Sequence, residues 1–112
     1  MINIQSVLFS AILLWAAASA ADDALLQKGR AVYQHWCAPC HAPGAVHPGT
    51  VALAAKYQGA IPPALEQRTG MTLDFITQFV RQGVTIMPFF RKTEISDADL
   101  QAVAAYLMRN NK

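Results

Sequence analysis

Two cysteines separated by two residues and followed at once by a histidine, Cys37-Ala38-Pro39-Cys40-His41, constrain this chain more than any other feature. The spacing suits covalent attachment of a haem, because two vinyl groups on one edge of the porphyrin can each form a thioether with a cysteine. The adjacent His41 then lies beneath the iron as the proximal ligand. Its imidazole is neutral, and its second ring nitrogen is free for a hydrogen bond that fixes the ring.

Three other chemistries use the same cysteines. A redox disulfide of the thioredoxin kind belongs beside a βαβ pattern, and no alternating strand pattern appears along the chain. A structural zinc site needs a fourth ligand beyond Cys37, Cys40 and His41, for which only His35 and His47 are on offer. A plain Cys37–Cys40 disulfide leaves the adjacent histidine unexplained. Haem accounts for all three residues.

The 112 residues leave room for one domain, part of which reads as a removable leader. From Met1 to Ala21 there is no Lys, Arg, Asp or Glu, and the apolar run from Val7 to Ala18 ends in the small residues Ala18-Ser19-Ala20. This pattern predicts a secretory signal peptide over 1–21, cut near Ala20 or Ala21, although only the terminal amine supplies positive charge ahead of it. An uncleaved anchor is the alternative, but a spanning helix needs about 20 apolar residues and this run is much shorter. No stable membrane insertion is therefore expected after cleavage. Export to the bacterial periplasm also agrees with haem attachment, which takes place outside the cytoplasm.

The remaining domain, 22–112, holds nine basic and seven acidic side chains, a balance of +2. No Lys/Arg cluster or stripe appears, so nucleic acid is not an expected partner. A domain of this size buries a modest core, and a cofactor would act as its staple.

Helical spacing dominates the rest. Asp22-Asp23 are placed to cap a helix with an apolar face at Leu25, Leu26, Gly29, Val32, Tyr33 and Trp36. Pro43, Gly44, Pro48 and Gly49 mark a loop from 42 to 49, and 50–58 suits a short helix. Thr72 caps a helix through Leu73, Ile76, Phe79 and Val80, with Gly83 as a left-handed stop. Ser96 with Asp99 caps a last helix through Leu100, Val103, Ala104 and Leu107. The domain is expected to be all-α.

The second axial ligand must approach the opposite face of the haem from a distant part of the chain. Of four methionines, Met1 leaves with the leader, Met71 precedes the Thr72 cap and Met108 sits in the last helix. Met87 follows the Gly83 stop and precedes Pro88, which holds it extended and able to reach the iron. Core filler is the competing reading of Met87.

Cys37-Ala38-Pro39-Cys40-His41 with the later Met87-Pro88 resembles the class I mono-haem c-type cytochromes over nearly the whole mature chain. The resemblance implies a cytochrome c-like fold, orthogonal helices wrapped around one covalently bound haem c. In it the first and last helices cross, here at Gly29, Tyr33, Tyr106 and Leu107. It also implies a loop proline whose carbonyl accepts the proximal imidazole N–H; Pro48 matches best and Pro43 is a rival. His47 as an axial ligand would make a His/His centre instead. Tyr57, Arg68 and Arg91 are candidates for pairing with the propionates.

His/Met ligation leaves no open position on the iron, so the expected function is periplasmic one-electron transfer rather than catalysis. Phe89 and Phe90 either form a docking patch with Arg91 and Lys92 or pack inward on the haem. The expected partners are redox proteins. The chain is also similar to small cytochromes that accept electrons from flavoprotein dehydrogenases of the p-cresol methylhydroxylase type, which makes a dehydrogenase subunit an alternative to a free carrier. A ligand-binding sensor or weak peroxidase would require Met87 to dissociate.

Overall fold

The computed structural model describes residues 4–111, with side chains described from residue 14 onward. Helix α1 spans Ile4–Val32, α2 Ala38–His41, α3 Pro48–Tyr57, α4 Leu73–Gln82 and α5 Asp97–Met108. A π-helical turn, Tyr33–Cys37, joins α1 to α2, and a 3-10 turn covers Leu65–Gln67. Among the described residues there is no strand, only an isolated bridge between Val84 and Met87. The expectation of an all-α domain is thus met.

Asp22 and Asp23 do not start a helix in this structure. They lie inside α1, which has no acidic residue in its first turn. The stretch ahead of them is rich in Ala and Leu, good helix formers, and has no Gly or Pro to interrupt it, so one helix runs through. Leu14 and Trp15 stand 71% and 81% exposed, outside the packed part of the molecule.

The C-terminal half of α1 packs on α5, the most extensive helix contact in the fold. Gly29 permits it: a Cβ there would lie 2.0 Å from the Ala102 carbonyl oxygen and 2.8 Å from Tyr106 Cβ. Next to this point the Tyr33 and Tyr106 rings meet with centroids 5.6 Å apart, and Lys28 pairs with Asp99 at 3.2 Å. The crossing implied for Gly29, Tyr33, Tyr106 and Leu107 is present, whereas Leu25 faces solvent. Tyr33, Ile95 and Val103 are fully buried, with Met71, Ile76, Val80, Leu100 and Leu107 around them.

Caps behave as their residue types dictate. Thr72 Oγ1 accepts the Phe75 N–H at 3.2 Å, and Ser96 Oγ accepts the Asp99 N–H at 3.1 Å. Gly83 ends α4 at φ 66°, ψ 176°, which is a positive-φ conformation but not the left-handed helical one. Pro48 opens α3 rather than staying in the loop, since its fixed φ suits the first helical position. Gln58, in the left-handed conformation, closes α3.

Candidate haem site

The attachment motif occupies the π-helical turn and α2. The extra residue per turn of a π-helix re-aims the chain ahead of the motif, a device frequent at functional sites. Cys37 ends the turn, half-buried, and Cys40 is exposed; both are free thiols. Burial, and secondarily the neighbouring Cys40, push the Cys37 thiol up to about 12. An attacking redox cysteine has its thiol pKa lowered instead, so Cys37 does not suit that role. Among the described residues no group of three or more His, Cys, Asp or Glu is placed to hold a metal ion.

His41 closes the motif. Burial first, and the positive charge of Arg68 second, lower its pKa, so the imidazole is kept neutral and able to act as a ligand. Its ring lies against Gly49, where a Cβ would sit 2.8 Å from His41 Cε1, 3.0 Å from Nδ1 and 2.7 Å from the Cys40 carbonyl oxygen. Tyr33 Oη donates to the His41 carbonyl at 3.2 Å. Burial, with Glu66 nearby, holds this phenol well above the usual tyrosine range, which keeps it a donor.

Pro48 stands next to this ring contact through Gly49, but its carbonyl does not hold the imidazole. His41 Nδ1 is buried with no hydrogen-bond partner among the described residues. As the first residue of α3, Pro48 has a carbonyl that belongs to that helix's own ladder. The loop between α2 and α3 is tied down by other means. Thr50 Oγ1 donates to the Ala42 carbonyl at 2.8 Å. His47 Nδ1 donates to the Pro39 carbonyl at 2.9 Å, so His47 braces the attachment turn. Nothing in the sequence distinguished this role, because the two residues are eight apart across a loop.

Met87 sits half-buried in a tight loop after α4. Val84 and Met87 exchange backbone hydrogen bonds of 3.1 and 2.9 Å, with Thr85 at φ 52° in the turn. Gly83 lets the chain fold back: a Cβ on it would lie 2.6 Å from the Met87 carbonyl oxygen and 2.9 Å from Phe89 N. Phe90 N–H donates to the Val80 carbonyl at 2.7 Å, and Arg81 Nη1 donates to the Phe90 and Ile95 carbonyls. Phe90 also packs edge-on to Trp36, with centroids 5.7 Å apart, which links the methionine loop to the residue before Cys37. Of the aromatic pair, Phe90 thus packs inward while Phe89 stays 59% exposed. Met71 belongs to the core, so it is Met87 that stands in a shaped loop outside it.

A cleft of about 400 Å³ is lined by Tyr57, Arg68, Met71 and Phe75, among others. Arg68 is only 5% exposed. Its Nε donates to the Pro62 carbonyl at 2.8 Å, and its guanidinium lies 5.0 Å from the centre of the Tyr57 ring. Nη2 is buried without a partner among the described residues. Buried donors are almost always paired, and a charged one costs more when it is not, so this atom calls for an anion. A haem propionate would meet that need, and the two free thiols and the neutral imidazole are the groups that would hold the rest of a haem c. The residues present fit a haem. Arg91, by contrast, is spent on an exposed ion pair with Glu94 at 3.0 Å.

A helical domain whose first and last helices cross beside a Cys-x-x-Cys-His turn belongs to the cytochrome c class. Residues 24–107 match the family described as cytochrome c oxidase, cbb3-type, subunit III. The chain is also 32% identical over 95 residues to the cytochrome c subunit of 4-cresol dehydrogenase [hydroxylating] from Pseudomonas putida, covering 85% of this chain and 71% of that protein. No solved structure matches significantly. The chain belongs to the c-type cytochrome family. Membership implies a haem c cofactor and a role in electron transfer rather than catalysis.

Proposed function

We propose that this chain is an exported one-electron carrier that holds one haem c through thioethers to Cys37 and Cys40, with His41 and Met87 as axial ligands. The observation that carries the reading is the attachment turn itself: two free thiols and a burial-neutralised imidazole within five residues, linked through Trp36 and Phe90 to the Met87 loop.

When bound, the haem supplies a one-electron couple. Gly49 and α3 hold the His41 ring on one side, while Gly83 and the Val84–Met87 pairing present the thioether. With both residues engaged no position is left for a substrate, so the protein makes and breaks no substrate bonds. A soft thioether and a buried site both favour the reduced state. Arg68, oriented by Pro62 and Tyr57, pairs with a propionate. Pro48 shapes the approach of α3 to the ring, and loading would have to draw its carbonyl to His41 Nδ1 for the implied bond to form.

Residues 1–21 serve as a secretory signal, and 22–112 form the working domain in the periplasm. The physiological donor is a flavoprotein dehydrogenase of which this chain is the cytochrome subunit. The likeness to the 4-cresol dehydrogenase subunit supports this over a freely diffusing carrier. Affinity purification of the tagged chain from its native periplasm tests it. A stoichiometric flavin-containing partner that reduces the haem on addition of a phenolic substrate is expected, and recovery of a monomer alone would refute the subunit role. A reduced spectrum unchanged by carbon monoxide is expected as well; a shifted one would point to the sensor or peroxidase reading.

A further inference from the structure

The stretch from Glu66 to Met71 brings Arg68 and Met71 to the cleft, yet beyond the 3-10 turn it has no regular structure. Its backbone polar groups must therefore find partners elsewhere. Side chains just past the end of α5 provide them. Asn110 Nδ2 donates to the Glu66 carbonyl at 2.8 Å. Asn111 makes two bonds, accepting the Gly70 N–H on Oδ1 at 2.7 Å and donating from Nδ2 to the Met71 carbonyl at 2.8 Å. One amide thus pairs with successive peptide groups as a neighbouring strand would. Arg109 reinforces the contact, with Nη2 3.9 Å from Glu66 Oε2, and Tyr106 Oη donates to the same carboxylate. These bonds bracket Arg68 on both sides, from residue 66 and from residues 70 and 71. The inner end of this arrangement is α5, which Gly29 seats directly on α1.

We propose that Asn110 and Asn111 form a clasp that positions Arg68 for a haem propionate, so that the C-terminal tail sets the reduction potential of the haem. The clasp rests on the haem and propionate assignments made above. It acts at a distance: neither asparagine lines the cleft, and both work through the backbone of the segment that carries Arg68.

The test uses the haem-loaded protein and a double-mutant cycle. Arg68→Gln removes a positive charge beside the haem and leaves a propionate unpaired, which favours the oxidised state. At fixed ambient potential the oxidised-to-reduced ratio should rise by up to about tenfold, the scale of one unit charge at short range. Asn110→Ala/Asn111→Ala should shift the ratio the same way, speed hydrogen exchange at the Gly70 amide, and add little when combined with Arg68→Gln. Asn111→Asp keeps the acceptor for Gly70 and should give a smaller shift, which covers failure of the double variant to assemble. A clasp variant that melts earlier but keeps the wild-type potential would overturn the clasp while leaving the propionate pairing intact, as would a shift that adds fully to that of Arg68→Gln. An unchanged potential in Arg68→Gln would overturn both.

Discussion

His41 is held by contact as much as by chemistry. Gly49 lies flat against its ring, and the space for a Cβ is already occupied by the imidazole and the Cys40 carbonyl. Gly49→Val should cost about 1–3 kcal/mol, the usual penalty for overpacking a filled site. Thermal unfolding of the haem-loaded protein measures that loss, and an unchanged melting temperature would show that α3 is free to move off the ring. Pairing at the residue scale is only partly legible in a sequence. The Cys37, Cys40 and His41 pattern is readable because all three lie within one turn. Arg91 with Glu94 is also a local pair, three residues apart, and reading it would have set Arg91 aside as a propionate partner. Arg68 above Tyr57 and His47 on Pro39 depend on how loops fold back, which residue spacing does not encode.

Helix ends carry the next level of organisation, and here local chemistry was a good guide. Thr72, Ser96 and Gly83 sit where their side chains, or the lack of one, require. The π-helical turn and the unbroken α1 were not legible: the first has no sequence signature, and the second arises because the Ala-rich stretch before Asp22 already forms the helix that Asp22 would otherwise begin. Removal of residues 1–21 would restore that beginning. In the mature chain Asp22 and Asp23 then face the positive end of α1, and Asp22→Asn/Asp23→Asn should lower stability by about 0.3–1 kcal/mol per charge. Denaturant titration at low salt reads this directly. At the other end of the crossing, the Lys28 partnership lowers the pKa of Asp99 below its ordinary value. Its contribution is therefore fully present above the unfolded carboxylate value of about 3.9 and is lost as pH falls through the lower folded one. The gap in melting temperature between wild type and Asp99→Asn should be constant near neutrality, close at strongly acid pH, and narrow with added salt because the pair is exposed. In the methionine loop, Gly83→Ala would push a Cβ into the Met87 carbonyl at a positive φ. Partial loss of methionine ligation should follow, visible as a lower reduction potential.

At the scale of the whole molecule, the proposed function has two segments far apart in sequence converge on one cofactor. The attachment turn lies between α1 and α3, and the Met87 loop lies between α4 and α5. The α1–α5 crossing and the Trp36–Phe90 contact hold these halves in register. The fold class was legible because helical periodicity and caps repeat along the chain, whereas the convergence of the halves became legible only through resemblance to a known family. If the domain works as proposed, intact mass spectrometry of the secreted protein should show a chain beginning near Asp22 and carrying one haem that denaturation does not remove. Replacing Cys37 and Cys40 together by Ala should abolish that added mass. The most direct test of the central claim, a haem held between His41 and Met87, is the near-infrared spectrum of the oxidised protein. The account requires the weak band of a methionine-to-ferric-iron bond in the wild type and its disappearance in Met87→Ala; a band that persists in Met87→Ala would contradict it.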